Sequence, residues 1–505
     1  MKRLVALLLV LTFIIGTLAA CKKNPDDKSK DESKENNTSA STTDPEKELT
    51  EMEKRALVKD NLPEDLDFEG REFTTFSFYE MYDIDVEGTD GLGNIVTDSI
   101  YTRNRSVENR LNISINNVKS TVARFSEFSD EIRTLGDMGD SDYEAIITMG
   151  NAAIQMNNIN AFQDIDNLTY ISPEADWWWS DAMEEVSFDV NHQKFLIGDL
   201  CLSVYTRTGA VLVNLTDYDS KFLDEGIQGL YDLVVDGKWT IAEMKTRAVA
   251  AGNDVQGNGL KFSDGGDYIG LFVGHEEMIK FLEYGFDVKR YSRDADGCAI
   301  LDYDINRAST AVDALIDLLY NSEEGVYYQD KYHKTSDFAE GRTLFQMTWV
   351  SDLLTAEMRD MKDVYTMVPV PKLDTTQTEY KTNIQNSAQM AGVLKGVTDV
   401  DFASAVLEAL CSESYRKVVL PFYETALKSL YAKDAGVRQM IDIITDSASK
   451  NFLYEYQPGG GCGTLITSVV TSGVNVIISE YDTKGPQTVN YLAKLKQELY
   501  PTPAA

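Results

Sequence analysis

Apolar positions along this chain follow two periods that alternate. "REFTTFSF" (Arg71–Phe78) alternates like a strand, and "YEAIITMG" (Tyr143–Gly150) is a β-rich run that ends in glycine. "INRASTAVDALIDLLYN" (Ile305–Asn321) repeats its apolar residues at helical spacing, and nearly everything after about Asp399 does so too, except "QPGGGCG". Strand and helix patterns that take turns predict parallel sheets covered by helices, an α/β fold.

The first twenty residues have a different pattern. Lys2 and Arg3 precede an apolar run, Leu4–Ile15, whose one polar residue is Thr12 and which is shorter than the roughly 20 residues that cross a bilayer. The sequence therefore predicts a signal peptide over residues 1–20. Its "LAAC" ending resembles the lipobox of bacterial lipoproteins, which implies that Cys21 carries lipid such as palmitate and becomes the N-terminus. An ordinary secretory signal with a cysteine nearby is the alternative.

Residues 21–67 contain no aromatic side chain and are rich in charge. Such a segment buries too little to offset the entropy of ordering it, so we expect a disordered, lipid-anchored linker, with a short helix near Leu49–Val58. The remainder, about 68–505, is too long for one compact core and should form two domains.

Charge and cysteines exclude several classes. The formal net charge is −35, and no basic cluster is dense enough to bind nucleic acid or an anionic lipid surface. Beyond Cys21 the cysteines lie far apart, without a C-x-x-C pair, which excludes a zinc ribbon. The sequence is compatible with disulfide bonds and with buried free thiols at these four cysteines. They are Cys201, Cys298, Cys411 and Cys462.

A search for catalytic motifs finds none. The histidines His192, His275 and His333 are isolated, and no nucleophile elbow, Walker loop or dinucleotide fingerprint follows a strand. With 82 acidic residues, chance carboxylate pairs are unavoidable and give no positive signal for a glycosidase. We therefore predict no catalytic residue, no cofactor and no metal site.

One loop is similar to a calcium-binding loop. "NDVQGNGLKFSDGGD" has acidic and amide residues at some ligand positions between Asp254 and Asp267. However, Gln256 replaces a carboxylate and Gly265 stands where the bidentate glutamate belongs. We interpret it as a structural turn, with bound calcium as the alternative.

Tryptophans give the clearest hint of a ligand. Three stand side by side in "DWWWS", and consecutive side chains cannot all enter one core. Trp349 ends a predicted strand just before a helix that begins at Ser351 or Asp352, where α/β proteins collect ligands. A core position is the alternative for Trp349. In "GKWTIAEM", by contrast, Thr240 and Glu243 form a capping box preceded by the apolar Trp239.

The chain as a whole resembles the family-1, sugar-binding type of extracellular solute-binding protein, which serves ABC importers. Several stretches in order carry this resemblance: "EGREFTTFSF", "DSIYTRNRSVENRLNISI", "LYDLVVDGKWTIAEM", "GRTLFQMTWVSDLL", "YTMVPVPKLDTTQTEYKT" and "VLEALCSESYRKVVLPFYETALKSLYAKD". It implies a periplasmic-binding-protein-like type II fold, two α/β lobes around a ligand cleft with a multi-strand hinge. Lobe 1 would comprise 68–200 with about 368–415, and lobe 2 about 201–367 with about 416–505. Crossings are expected near Gly198–Thr206 and Val368–Pro371, and a later return to lobe 2 after Leu394.

The same resemblance implies a role. The protein would capture an extracellular carbohydrate, with an oligosaccharide favoured, and deliver it to an ABC permease as a monomer held by Cys21 on the outer face of a Gram-positive cytoplasmic membrane. Two alternatives stay open: a lipid-anchored glycan-acting enzyme, and a surface sensor or adhesin with the same fold.

Ligand residues are predicted from their places at strand ends and near the hinge, as aromatics that stack on sugar faces and polar groups that bond hydroxyls. The candidates are Tyr79, Glu80, Met149, Asn151, Trp178, Trp179, Tyr205, Trp349 and Asp352.

Overall fold

The computed structural model describes residues 51–78, 83–90, 95–122, 124–139, 141–153, 159–330, 334–429, 435–449 and 461–500. The signal peptide, Cys21 and most of the predicted linker therefore lie outside the described residues. The strands are β1 Arg71–Ser77, β2 Ile113–Lys119, β3 Ala145–Met149, β4 Gly209–Asn214, β5 Ile269–Val273, β6 Tyr291–Arg293, β7 Ala299–Leu301, β8 Val326–Tyr328, β9 Thr343–Trp349, β10 Tyr365–Val368, β11 Thr382–Asn383, β12 Gln389–Gly392 and β13 Ala448–Ser449.

Helices cover the faces of the sheets. They are α1 Glu51–Leu57, α2 Ile95–Leu111, α3 Phe125–Met138, α4 Gly150–Ala153, α5 Ser180–Val186, α6 Ser203–Thr206, α7 Leu215–Lys221, α8 Gly226–Val235, α9 Ile241–Ala251, α10 Glu276–Gly285, α11 Ile305–Tyr320, α12 Thr335–Ala339, α13 Ala356–Asp360, α14 Val400–Lys417, α15 Val419–Ser429, α16 Ala435–Asp446, α17 Leu465–Val470 and α18 Ile477–Leu499. Short 3-10 or π turns lie at Asp83–Glu87, Ile165–Asn167, Val350–Leu354 and Cys462–Thr464.

Two larger sheets organise the molecule. The first has the order β12-β3-β1-β2, with β1 parallel to both β2 and β3 and with β12 antiparallel to β3. The second has the order β10-β4-β9-β5-β8, in which β5 is parallel to β8 and β9, while β4 runs antiparallel to both β9 and β10. The sheets are therefore mixed rather than wholly parallel, because β12 in the first sheet and β4 in the second run against their neighbours.

Each sheet has its own hydrophobic core, and we call the two parts the first half and the second half. The first core contains Phe73 and Tyr205, and the second begins along the chain at Ala210. The first crossing therefore lies at residues 206–209, at the end of the range that the resemblance implied.

The later crossings differ from that expectation. Leu373 still packs in the second core and Met390 in the first, so the second crossing lies between these two residues rather than at 368–371. The segment stays with the second half because the Gln377 amide donates to the carbonyls of Gly285 and Glu379, both at 2.8 Å. Phe422 also belongs to the first core, so that half extends beyond the predicted limit at about residue 415.

The two terminal segments pack on these cores, and α18 joins the halves. Ile477 at the start of α18 packs in the second core, whereas Leu492 and Leu495 pack in the first. At the other end, Leu62 is buried in the first core. Residues 51–67 are therefore part of the folded body, which is a correction to the linker predicted over 21–67.

The structure also shows the cap of α9 and the state of the four distant cysteines. Thr240 caps α9 by accepting from the Glu243 main-chain N–H, and Trp239 is fully buried, as the capping pattern predicted. All four distant cysteines are buried and free, which decides between the two alternatives. None of the helices in the described ranges is both long enough and apolar enough to span a bilayer.

Candidate functional site

The predicted ligand residues of the first half lie where parallel strands end. Strand β3 ends at Met149, which is buried and pairs with Gln389 of β12. Asn151 lies in the following helix, α4, although its side chain is outside the described structure. Tyr79 and Glu80, which follow β1, are also outside the described residues, so their roles stay predictions.

Trp349 ends β9 in the second half, as predicted. It pairs with Gly209, the first residue of β4, and its partly exposed ring lies edge-on to Phe281, with ring centroids 6.2 Å apart. A Cβ at position 209 would lie 2.4 Å from the Phe281 ring, so only glycine lets the crossing segment pass so close to this aromatic pair. Asp352 is buried and accepts a hydrogen bond from the Thr348 hydroxyl.

The tryptophan cluster divides between two environments. Trp177 and Trp178 are both buried, and their indole N–H groups donate to the two oxygens of Glu408 at 3.2 and 2.7 Å. In the turn before them, the main-chain N–H of Trp178 donates to the carbonyl of Ala175, and both rings point toward α14. Trp178 therefore packs in the core of the first half, and its role as a ligand contact stays a prediction. Burial raises the pKa of Glu408 to about 7, although the indole donors act against this rise.

Trp179 and Tyr205 lie at the boundary between the halves, where they line a narrow cavity. The cavity volume is only about 20 Å³, which is room for about one or two water molecules. A sugar ring does not fit there unless the halves separate. The cavity is lined by Trp179, Tyr205 and Phe422 from the first core, by Leu353, Met367, Ile441 and Ile444 from the second, and by Thr208, Val350, Tyr423 and Thr445.

A buried carboxyl group holds the aromatic pair in place. Asp199 is almost completely buried, and its Oδ1 accepts from the Tyr205 hydroxyl at 2.5 Å and from the Trp179 indole N–H at 3.2 Å. Burial raises the pKa of Asp199 to about 6, and the two donors reduce the rise. Sequence reasoning missed Asp199, although it closely follows the apolar run Phe195–Ile197 in the sequence.

The halves also meet at a polar recess of about 340 Å³. Glu185, from α5 of the first half, faces Tyr284, Lys381 and Ser449 of the opposite wall. The Tyr284 hydroxyl donates to Glu185 at 3.5 Å and exchanges a 2.9 Å hydrogen bond with Ser449. Burial raises the pKa of Glu185 to about 7. This recess differs from the aromatic cavity because polar and charged groups line it.

The loop at Asp254 uses its carboxylates for its own backbone. Asp254 accepts from the main-chain N–H groups of Gly257 and Gly259, both at 2.7 Å, and the buried Asp267 accepts from those of Val255 and Lys261. Within the described ranges, no cluster of three or more His, Cys, Asp or Glu has the geometry to hold a metal ion. The prediction that the loop is a structural turn agrees with this geometry, and the question of bound calcium stays a prediction.

Comparisons with solved structures identify the fold. No protein-family model and no curated protein matches the sequence. The chain is similar to the cyclic α-maltosyl-1,6-maltose binding protein of Arthrobacter globiformis, with a TM-score of 0.54, 13% identity, and coverage of 84% of this chain and 99% of that one. The chain is also similar to the galacto-N-biose-/lacto-N-biose I-binding protein of Bifidobacterium longum, with a TM-score of 0.52 and 11% identity. That alignment covers 84% of this chain and 98% of the other.

An ABC transporter solute-binding protein of Thermotoga lettingae, bound with α-D-tagatose, gives a TM-score of 0.51 at 13% identity, with 84% of this chain and 100% of that chain covered. The similarity extends over nearly the whole length of each of these proteins. The chain therefore has the type II periplasmic-binding fold of ABC solute-binding proteins, and the predicted fold class is confirmed.

Proposed function

We propose that this protein is the substrate-binding component of an ABC importer, of the family-1 sugar-binding type, and that it captures an extracellular carbohydrate. The observation that carries the proposal is the similarity, over almost their entire length, to binding proteins whose ligands are sugars: cyclic maltosyl-maltose, lacto-N-biose and tagatose. Trp349 at a strand end supports it, because an aromatic ring there can stack on the apolar face of a sugar.

The two-half arrangement supplies a mechanism for capture. A ligand between the halves would be enclosed when they rotate about the crossings at 206–209 and 374–389. The cavity beside Tyr205 is too narrow for a sugar, so ligand entry requires such a movement. The protein's part in transport would be binding and release, without a chemical step.

The membrane anchor belongs to the same proposal. A lipid on Cys21 would hold the protein beside its permease, on the outer face of the cytoplasmic membrane, and so raise its local concentration there. Cys21→Ala should release the protein from the membrane fraction in detergent phase separation. If the variant still partitions with membranes, the lipid is not on Cys21.

Thermal shift with a panel of mono- and oligosaccharides tests the binding function. A ligand that binds only the folded state raises the Tm, and at 100 times its Kd it adds about 2.7 kcal/mol to the free energy of unfolding. The panel should include maltotetraose, lacto-N-biose and D-tagatose. A response to none of a broad panel would oppose the sugar proposal, and hydrolysis of a panel member would favour the glycan-acting enzyme.

A further inference from the structure

Several buried polar side chains near the first crossing have atoms without a hydrogen-bond partner. In the part of the chain that the structure describes, they include Ser77 Oγ, Asp85 Oδ2, Thr206 Oγ1 and both amide atoms of Gln389. None of these four residues is more than 3% exposed. Folded proteins leave few buried polar atoms unpaired, so a local group of them calls for a specific explanation.

The contacts of Ser203 bring these residues together. Its main-chain N–H donates to Asp85 Oδ1 at 2.7 Å, and its hydroxyl accepts from the main-chain N–H of Gln389 at 2.8 Å. Thr206 ends α6, the one-turn helix that Ser203 begins. Asp85 and Gln389 therefore both contact the first residue of this short helix at the first crossing, and Thr206 is its last residue.

Ser77 lies on the same face of the sheet as Gln389. It pairs with Ile147 of β3, and Gln389 pairs with Met149 of the same strand. Ile147 and Met149 are two residues apart, so their side chains and those of their partners point to one face. Ser77 Oγ and the Gln389 amide thus lie on one face of the first sheet, near the ends of β1 and β3 and the start of β12.

The neighbouring arginine does not neutralise Asp85 by direct contact. The Arg103 guanidinium donates to the carbonyls of Asp85, Val86 and Leu200, and to the side chains of Asn104 and Ser414. The Asp85 carboxyl is buried without an ion pair, and burial raises its pKa to about 6. It offers Oδ2 as an acceptor that nothing in the described protein uses.

A second buried glutamine shows the contrast. Gln377 is 6% exposed, and its amide nitrogen donates to Gly285 and Glu379. Its amide oxygen accepts from Arg307 at 3.1 Å and from the Leu373 N–H at 3.3 Å. Gln377 uses its whole bonding capacity for the fold, whereas Gln389, equally buried, uses none of its side-chain capacity.

We propose that Asp85, Thr206, Gln389 and Ser77 form a hydroxyl-recognition site on the first half, which binds a neutral, polyhydroxylated solute through adjacent hydroxyl groups. An amide offers an acceptor and two donors side by side, and a pair of neighbouring sugar hydroxyls offers the complementary set. Thr206 stands at the first crossing, so rotation of the halves changes access to the site. This inference rests on the proposed function and identifies residues that determine ligand specificity.

The test compares Gln389→Met with Gln377→Met, two substitutions that remove an amide and preserve side-chain length. Each variant is measured by thermal unfolding without ligand, and by calorimetric titration with whichever of maltotetraose, lacto-N-biose and D-tagatose shifts the wild-type Tm. Gln389→Met should leave the ligand-free Tm unchanged or higher, because it removes an unpaired buried amide. It should weaken sugar binding at least tenfold. Gln377→Met should lower the Tm, because it leaves four hydrogen-bond partners of the amide unpaired.

The other outcomes separate the two proposals. Unchanged affinity in Gln389→Met, or a fall in Tm as large as that of Gln377→Met, overturns the recognition site even if the protein binds sugar. If the wild-type protein binds none of the three sugars, the carbohydrate proposal loses its support from this panel. The recognition site is then tested by thermal unfolding without ligand, and a lower Tm for Gln389→Met than for the wild type overturns the assignment of Gln389 to it. An Asp85→Asn variant should also lose affinity, because its new N–H₂ replaces an acceptor.

Discussion

The edge of the Trp179 indole packs against the ring of Tyr205, with ring centroids 5.0 Å apart and ring planes at 84°. The two side chains also share an acceptor, because both donate to Asp199 Oδ1. Asp199 is 1% exposed, and its second oxygen has no hydrogen-bond partner in the described structure. The aromatic wall of the inter-half cavity is thus fixed by one buried carboxyl group, and its stability should depend on pH.

Tyr205→Phe tests this dependence. Burial raises the pKa of Asp199 from 3.8 to about 6, so the folded state retains a proton that the unfolded chain releases, and this group destabilises the fold increasingly as pH rises from about 4 to 6. Removing the Tyr205 donor raises the folded pKa further. The substitution should therefore lower the free energy of unfolding more at pH 8 than at pH 5, and the two losses should differ by about 1 kcal/mol or more. Urea titrations at the two pH values measure this difference.

Tyr380→Phe is the control for this prediction. The Tyr380 hydroxyl donates to the main-chain carbonyl of Val234, which does not titrate. Loss of this hydrogen bond should lower the free energy of unfolding by the same amount at pH 5 and at pH 8. Equal costs for Tyr205→Phe at pH 5 and pH 8 would show that the Tyr205 bond does not control the ionisation of Asp199.

Trp349→Ala should separate binding from folding. Trp349 is partly exposed at the end of β9, and a stacking aromatic contributes on the order of 2 kcal/mol to ligand binding, or about thirtyfold in Kd. Trp239→Ala is the matched control: its ring is fully buried and its N–H donates to Pro369, so its loss should cost about 3–5 kcal/mol of folding stability. If Trp349→Ala lowers the Tm as much as Trp239→Ala and leaves the sugar affinity unchanged, Trp349 is a core residue.

Sequence patterns predicted the fold class because its main elements are local. The alternating apolar residues of β1 and the helical repeat of apolar residues in α11 each lie within one element. The structure contains both the strand and the helix. The second crossing was predicted too early because the segment after β10 is held by contacts distant in sequence. One example is β11, two residues long, which pairs with β13 some 65 residues later.

The site was less predictable for the same reason. Trp349 was located correctly at a strand end, since strand ends are visible in the sequence. The burial of Trp178 could not be predicted, because its hydrogen-bond partner, Glu408, is 230 residues away. Ser77, Asp85 and Gln389 carry no motif. Only the register between strands shows that Ser77 and Gln389 share a face, and only the hydrogen bond from the Ser203 main-chain N–H brings Asp85 to the same short helix.

Calcium should leave the protein's Tm unchanged. Asp254 already accepts three backbone N–H groups and Asp267 accepts two, and these bonds lower the pKa of Asp254. A thermal scan with 1 mM EDTA and another with excess CaCl₂ check this, with the Asp254→Asn variant in parallel. A rise in Tm with calcium that the variant lacks would establish an ion at this loop.

Asp60 should control how firmly the N-terminal segment is attached to the first half. Its carboxylate accepts from both terminal nitrogens of Arg110 at 2.6 and 2.7 Å, from Arg416 at 3.1 Å and from the Ser412 hydroxyl at 2.9 Å, with 3% of its side chain exposed. Burial alone would raise the pKa of Asp60, but these donors hold it well below its usual range.

Asp60→Asn leaves two guanidinium groups facing a neutral amide. Loss of one partner from a buried ion pair costs about 3–5 kcal/mol, so the segment should detach before the body unfolds. Limited trypsin digestion should then cut faster at Lys54, Arg55 or Lys59 in the variant, while sugar affinity stays the same because these residues lie away from the crossings. Glu64→Gln, which removes a fully exposed ion pair with Lys59, should digest at the wild-type rate. Equal digestion of Asp60→Asn and wild type would mean that the apolar contacts of Leu62 hold the segment without Asp60.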